Sequence, residues 1–201
     1  ADFTRRSSRG IVQEDSAVMF DRLEVLTRPG ARSRHPEVDG TARALGRLSD
    51  VETVALGAGR LDGGDVLKIN RRAYVGSGGR TDAEGVAALS ALLAPRGWEV
   101  VGVPVTRVLH LKSAVTALPD GTVIGFEPLV DDPRCFENFL AVPEEDGAHV
   151  VVVDEGTVLM ADSAPESAAL IRARGLAVIE VDISEYIKLE GCVTCLSIRI
   201  R

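Results

Sequence analysis

The cysteines are the residues of this sequence that could act as nucleophiles. Cys192 and Cys195 form a Cys-x-x-Cys pair, which could be a redox pair, half of a zinc site, or one nucleophile beside a bystander thiol. A redox pair usually opens a helix, whereas the residues after Cys195 alternate as in a strand. A zinc site needs about four ligands, and neither Cys135 nor the histidines have a matching spacing. We therefore expect Cys135 and Cys192 to be small buried apolar residues.

A nucleophilic cysteine needs a histidine from elsewhere in the chain, and the sequence has three histidines. His35 precedes a proline that is typical of a helix start, so we expect it to be exposed. His149 adjoins the apolar run 150–153 and is interpreted as structural. His110 lies between two leucines, where a histidine is more often a buried structural residue than a catalyst. Its place at the start of a predicted structural unit is an argument for a catalytic role, but on spacing alone the structural interpretation stays ahead.

Two acidic pairs could bind a cation. Asp62 and Asp65 flank two glycines, which allow close approach of the chain or of a ligand, although a tight acidic turn would look the same. Glu14 and Asp15 lie between apolar residues, and burying two carboxylates is costly unless a cation neutralises them. A guanidinium group would suit such a pair, because its planar donors match carboxylates in a bidentate manner.

Two arginines could bind a substrate carboxylate. Arg34 and Arg80 each follow a predicted strand and turn, so they would lie on the same rim if the structural units are equivalent. The alternative for each is a solvated surface arginine.

A repeated order of strands and helices must position these residues. The predicted units comprise strands and helices at 22–27, 36–48 and 51–55; at 72–76, 82–93 and 99–105; and at 157–161, 165–174 and 177–181. A further unit has a strand at 122–126 and a closing strand at 150–153. Such a repeat predicts an α/β propeller or a solenoid, with an ordinary α/β sandwich as the alternative. In a propeller, the segments 13–15, 61–65, 109–113 and 191–195 would meet at the central axis.

The composition limits the class of protein further. The chain has 201 residues with a net charge of −7, which excludes a basic nucleic-acid or membrane-binding surface. Its 45% hydrophobic content excludes disorder and fits one domain over residues 1–201. No apolar run is long enough for a membrane span, the N-terminal residues do not read as a signal peptide, and the sparse cysteines predict a reducing, cytoplasmic location.

Taken in order along the chain, several short motifs resemble those of one family. They are Glu14-Asp15, Thr27-Arg-Pro-Gly30, Ser33-Arg34, Leu61-Asp-Gly-Gly-Asp-Val66, Val75-Gly76, Arg80-Thr81, Leu109-His-Leu-Lys-Ser113 and Thr194-Cys195-Leu-Ser197. From Glu14 to the C-terminus the sequence resembles the dimethylarginine dimethylaminohydrolases, which belong to the guanidine-modifying enzymes. The residues around His110 and Cys195 resemble this branch more than the arginine deiminases, which usually have an aspartate after His-Leu.

The resemblance implies a five-fold α/β propeller built from ββαβ modules around a polar channel. A family member has one more module before the point where this sequence begins. We therefore expect a propeller that is incomplete at its N-terminus, with residues 1–13 an atypical remnant of the first module. The implied reaction is hydrolysis of Nω-methylated arginines to citrulline and methylamine or dimethylamine, through a covalent cysteine thiouronium. The alternatives are an arginine deiminase-like hydrolase and a catalytically inactive truncated remnant.

The resemblance also implies roles for the candidate residues. Cys195 matches the nucleophile, His110 the proton-transfer residue, and Asp62 the carboxylate that orients His110. Glu14 and Asp15 match the residues that hold the guanidinium group.

The remaining implied roles concern the other end of the substrate. Arg34 and Arg80 match the pair that grips the amino-acid carboxylate. No metal and no organic cofactor are implied. The expected partner is a small-molecule substrate, a methylated arginine, with no nucleic acid or membrane, and the chain is expected to be a monomer or a homodimer.

Overall fold

The structure is a computed structural model that describes residues 15–45, 51–188 and 191–195. Within these ranges the strands form four sheets of three strands each. The first sheet contains β1 (Ala17–Phe20), β2 (Leu23–Leu26) and β3 (Glu52–Ala55). The second contains β4 (Val66–Ile69), β5 (Arg72–Ser77) and β6 (Glu99–Pro104). The third contains β7 (Val115–Ala117), β8 (Val123–Gly125) and β9 (Phe139–Ala141). The fourth contains β10 (Val150–Asp154), β11 (Thr157–Ala161) and β12 (Ala177–Val181).

Helices connect the second and third strands of three of these sheets. They are α1 (His35–Leu45), α2 (Ala83–Leu93) and α3 (Pro165–Ala173), and a short helix α4 (Ser184–Ile187) follows β12. Asp82 caps α2 by accepting a hydrogen bond from the Gly85 N–H. Within the described residues, every helix is too short or too polar to span a bilayer.

All four sheets follow one pairing rule. The first two strands are antiparallel, and the second and third are parallel. Two-residue turns join β1 to β2 and β4 to β5, and they begin with Asp21 (φ 52°) and Asn70 (φ 53°). Asp and Asn tolerate this left-handed conformation better than other side chains. The parallel pairs need a longer crossover, which the helices supply.

The third sheet differs from the prediction. The apolar run at 150–153 does not close the third unit but begins the fourth sheet as β10, and the third sheet closes with β9. The connection from β8 to β9 contains short 3-10 turns at Glu127–Leu129 and Pro133–Cys135 where the other sheets have a helix. The two prolines lie at the starts of these turns, and a proline inside a helix would remove a hydrogen bond and clash with the preceding turn.

The sheets pack face to face in sequence order, because alternate residues of a strand point to opposite faces. In the second sheet, Val66 and Val75 face the first sheet and α2. Leu67 and Tyr74 face the third sheet. The third and fourth sheets share another core with α3. The second, third and fourth sheets therefore each contribute apolar faces to two cores, which is the packing expected of a propeller.

The first strands of the four sheets surround a common space. Residues of β1, β4, β7 and β10 line a cavity of about 350 Å³ together with Lys112 and Thr194. The predicted α/β propeller-type fold is therefore confirmed, with four of its strand–strand–strand modules among the described residues. The predicted remnant at 1–13, the last residues of the 36–48 helix and the strand after Cys195 lie outside the described residues.

The shared cores make a quantitative prediction about stability. Leu89 of α2 is fully buried between the first two sheets, so Leu89→Ala should lower the free energy of unfolding by about 2–5 kcal/mol. Leu109→Ala is the matched control, because Leu109 is 52% exposed and its truncation leaves no cavity. Urea unfolding followed by circular dichroism measures both. Equal unfolding midpoints for the two variants would contradict this packing.

Candidate active site

His110 lies where the chain enters the third sheet, directly before a 3-10 turn at Leu111–Ser113. Its side chain is buried. The Nε2–H donates a hydrogen bond to Asp62 Oδ2 at 3.0 Å, and Asp15 Oδ1 lies 3.8 Å from the same nitrogen. The structure therefore brings together three of the residues that the sequence singled out, from segments about 50 residues apart or more.

Asp62 is held in place by hydrogen bonds from two other segments. It is fully buried and lies before the 3-10 turn Gly63–Asp65, which leads into β4. Its Oδ1 accepts a hydrogen bond from the Gly30 N–H at 2.6 Å, and its own N–H donates to Thr81 Oγ1 at 3.1 Å. With both carboxylate oxygens engaged, the oxygen that faces His110 has a fixed position.

Asp15 lies just before β1 and is also fully buried. Its Oδ1 accepts a hydrogen bond from the Gly64 N–H at 2.8 Å, and its Oδ2 forms an ion pair with Arg34. The predicted partner of Asp15, Glu14, lies outside the described residues.

Close packing explains Gly64, the second of the two glycines between Asp62 and Asp65. A Cβ atom on Gly64 would lie 2.7 Å from Asp15 Oδ1 and 2.8 Å from His110 Cγ, which are closer than such atoms approach one another. The close approach predicted for this segment is therefore confirmed.

The electrostatic surroundings favour a charged imidazole. Burial alone would lower the pKa of His110. The hydrogen bond to Asp62 and the negative charges of Asp15, Asp65 and Asp62 outweigh that effect and raise the pKa of His110 above its ordinary value. Burial likewise opposes ionisation of Asp62, but the hydrogen bonds from His110 and the Gly30 N–H hold the pKa of Asp62 below its ordinary value.

Asp65 has a structural role that the sequence analysis did not assign. It is buried, and its Oδ1 accepts a hydrogen bond from the Leu111 N–H at 2.9 Å. Its Oδ2 accepts one from Thr81 Oγ1 at 2.6 Å, and this hydroxyl in turn accepts the N–H of Asp62. Asp65 therefore ties the backbone next to His110 to the backbone of Asp62. Burial raises the pKa of Asp65 above its ordinary value, against the hydrogen bonds it accepts.

The two arginines lie next to different carboxylates. Arg34 ends a 3-10 turn before α1, and its side chain bonds both Asp15 and Glu37, with Nε and Nη2 at 3.0 and 2.9 Å from Glu37 Oε2. Arg80 is half-buried, and its charge helps to lower the pKa of Asp62. The ion pair of Arg34 with Asp15 was not anticipated. The predicted grip of these arginines on a substrate carboxylate stays a prediction.

Cys195 and Cys192 lie in one turn near the end of the chain. The Cys195 N–H donates to the Cys192 carbonyl at 3.1 Å, and the two Sγ atoms are 3.2 Å apart. Cys192 is buried, as expected, and Cys195 is half-buried. Thr194 between them lines the same axial cavity as Lys112, which lies two residues after His110. Cys135 is half-buried rather than fully buried, because it lies in an exposed 3-10 turn between β8 and β9.

The other two histidines have structural partners. His35 is exposed, with Nε2 3.0 Å from the Pro29 carbonyl. His149 is buried, with Nε2 3.1 Å from the Ser113 carbonyl. Both therefore agree with the interpretation of them as residues outside the reaction centre.

One group of described residues has the composition of a metal site. Ligand atoms of Asp15, Asp62 and His110 lie within 4.8 Å of one another. In the structure these atoms already take part in hydrogen bonds, since Gly64 donates to Asp15 and His110 to Asp62. The buried carboxylates of this cluster therefore have hydrogen-bond donors within the protein.

Comparisons with known proteins show the family to which the chain belongs. No protein-family model matches the chain. A dimethylarginine dimethylaminohydrolase from Streptomyces coelicolor is 55% identical over 188 residues, which cover 94% of this chain and 73% of the relative. A solved dimethylarginine dimethylaminohydrolase from Pseudomonas aeruginosa, a cysteine-to-serine variant complexed with citrulline, matches with a TM-score of 0.87 and 30% identity. That match covers 96% of this chain and 76% of the solved chain.

A second solved structure is a histidine-to-glycine variant of dimethylarginine dimethylaminohydrolase, as an adduct with S-methyl-L-thiocitrulline. It matches with a TM-score of 0.85 and 30% identity, over 96% of this chain and 77% of the solved chain. The four sheets and these two matches define an α/β propeller of the guanidine-modifying type. Within that class, the chain belongs to the dimethylarginine dimethylaminohydrolase family.

The contact at Gly64 yields a prediction about the site. Gly64→Ala should lower the free energy of unfolding by about 1–3 kcal/mol, because the added methyl group would push His110 and Asp15 apart. The control is Gly57→Ala, since no atom lies within 4 Å of the Cβ position of Gly57. Urea unfolding measures both variants. A Gly64→Ala protein as stable as the Gly57→Ala protein would refute the close contact.

Proposed function

We propose that this chain hydrolyses Nω-methylated arginines to citrulline and methylamine or dimethylamine. The observation that carries the proposal is the buried cluster of His110, Asp62 and Asp15 in a chain 55% identical to a named dimethylarginine dimethylaminohydrolase. Citrulline and S-methyl-L-thiocitrulline in the two solved neighbours support the same chemistry for this chain.

The proposed guanidinium site centres on Asp15, together with Glu14. Support comes from Arg34, whose guanidinium group pairs with the Asp15 carboxylate in the structure. A buried carboxylate is a strong site for a planar cation, because charge-assisted hydrogen bonds form without competition from water. In the proposed complex, the substrate guanidinium takes the place of the Arg34 side chain on Asp15.

The proposed role of Arg34 and Arg80 is then to bind the α-carboxylate of the substrate. Arg34 would change partners from Asp15 to this carboxylate, while Glu37 keeps the rest of its guanidinium in place. Arg80 is half-buried near Asp62, so in the proposed complex its positive charge can act on the substrate carboxylate together with that of Arg34.

The proposed first step is attack of the Cys195 thiolate on the central guanidinium carbon. A bond forms between Sγ and this carbon, and the bond to the methylated nitrogen breaks. The leaving nitrogen takes a proton from His110, which the surrounding carboxylates keep available because they raise its pKa. The products of this step are the free amine and a covalent thiouronium on Cys195.

The proposed second step is hydrolysis of the thiouronium. Neutral His110 takes a proton from a water molecule, and the water oxygen attacks the same carbon. The bond between carbon and Sγ then breaks, which restores the thiolate. The second proton of the water passes to solvent, where the released amine takes it up, and citrulline leaves. Asp62 stabilises the positive charge of His110 in the resting state and fixes the direction of its ring.

We also propose a cytoplasmic location and a monomeric or homodimeric state. Support for the location comes from Cys135, Cys192 and Cys195, which form no disulfide bond in the structure. Light scattering of the purified protein decides between one and two copies.

The direct test of the function is citrulline release from Nω,Nω-dimethylarginine by the purified chain. Cys195→Ser should lower kcat by about 10³-fold or more, because a serine hydroxyl stays protonated at neutral pH and is a much weaker nucleophile than a cysteine thiolate. Cys135→Ser is the matched control and should keep the wild-type rate, because Cys135 lies in the turn between β8 and β9. Colorimetric citrulline detection measures all three proteins.

Two results would contradict the proposal. One is full activity of Cys195→Ser, which would remove the nucleophile from the mechanism. The other is release of ammonia from unmodified arginine with no turnover of the methylated substrate, which would make the chain an arginine deiminase-like hydrolase.

A further inference from the structure

Cys192 is a nucleophilic group for which the proposed mechanism has no use. It is buried beside the proposed nucleophile, and the two sulfur atoms are 3.2 Å apart. A disulfide bond is about 2.05 Å long, so the sulfur atoms need to approach by only about 1 Å to form one.

The backbone already has a suitable shape for this bond. The hydrogen bond from the Cys195 N–H to the Cys192 carbonyl closes a four-residue turn. Such a turn brings its end Cα atoms within about 7 Å, and disulfides span Cα distances of about 4.4–6.8 Å. Cross-linking the two residues therefore needs little movement of the chain.

The two thiols differ in access and in charge. Cys195 is half-buried, whereas Cys192 is 8% exposed, so a small oxidant in solution reaches Cys195 first. The hydrogen bond with Cys195 lowers the pKa of Cys192 to about 5 in spite of burial, and the charge of His149 and a contact with Thr194 Oγ1 at 3.1 Å act in the same direction. The two sulfur atoms therefore share one proton, so that one of them is a nucleophilic thiolate while the other carries the proton.

We propose that Cys192 is a resolving cysteine, which forms a reversible disulfide with Cys195 when a hydroperoxide oxidises Cys195. With Cys195 in a disulfide, its sulfur cannot attack the substrate, so the hydrolase is inactive. This consequence rests on the proposed function. A thiol reductant turns it on again.

The chemistry balances with hydrogen peroxide as the oxidant. The shared proton passes to Cys192, the Cys195 thiolate attacks one peroxide oxygen, the O–O bond breaks, and the products are a sulfenic acid on Cys195 and hydroxide. The hydroxide takes the proton of Cys192 and becomes water. The Cys192 thiolate then attacks the Cys195 sulfur, the S–O bond breaks, and the hydroxide that leaves takes a proton from solvent. In sum, two thiols and one peroxide give one disulfide and two water molecules. Without Cys192, further peroxide converts the sulfenic acid to sulfinic acid, which thiol reductants do not reverse.

The test compares the wild-type chain with Cys192→Ser, Cys192→Ala and Cys135→Ser after exposure to hydrogen peroxide. Each protein is denatured, its free thiols are alkylated, and its mass is measured. Its citrulline release is measured before treatment, after treatment, and after incubation with dithiothreitol, relative to its own untreated rate. Cys135→Ser controls for the loss of a cysteine elsewhere.

We expect wild type and Cys135→Ser to lose two hydrogen atoms in the peptide that holds both cysteines, and to regain more than about nine-tenths of their activity with dithiothreitol. Both Cys192 variants should instead gain oxygen atoms on Cys195 and regain less than about a third. Oxygen uptake by wild type without a disulfide would overturn the proposal, as would equal recovery in the Cys192 variants. The mass measurement decides on the disulfide even if the chain releases no citrulline, so failure of the proposed function is seen separately.

Discussion

An imidazole buried among three carboxylates is the interaction on which the rest of the structure depends. His110 bonds Asp62, lies close to Asp15, and feels the charge of Asp65. Removing these groups from water is costly, and the cost is recovered only if each oxygen keeps a donor at the right distance. Backbone N–H groups of Gly30, Gly64 and Leu111 supply those donors from three separate segments. The modules must therefore close around the axis before the cluster is stable.

This constraint explains why the residues around the cluster are small or fixed. Gly64 leaves room for both His110 and Asp15, and Gly30 packs against the backbone of Arg80, where a Cβ atom would lie 2.4 Å from the carbonyl oxygen. The cluster also has a net negative charge to offer a cation. In the structure Arg34 forms an ion pair with Asp15 of this cluster, and in the proposed reaction the substrate guanidinium takes its place.

Much of this arrangement could be predicted from the sequence, because strands, helix caps and glycine-flanked acids leave local patterns. The helices after Asp82 and at Pro165–Ala173 and the strands Thr157–Ala161 and Ala177–Val181 follow the predicted positions closely. The predicted closing strand of the third sheet was wrong, because an apolar run such as 150–153 fits the last strand of one sheet as well as the first strand of the next. The partners of Asp65 and Arg34 could not be predicted, since both depend on contacts between distant segments.

The most direct test of the central claim is the pKa of His110 in the folded protein. Nuclear magnetic resonance resolves the imidazole signals of the three histidines, which His35→Gln and His149→Gln variants assign. We expect a pKa for His110 above the ordinary value of about 6.5. The charged imidazole then stabilises the fold fully below about pH 6.5, and this stabilisation is lost as the pH rises through the folded-state pKa. A His110 pKa at or below 6.5 would contradict the account, because burial would then outweigh the carboxylates.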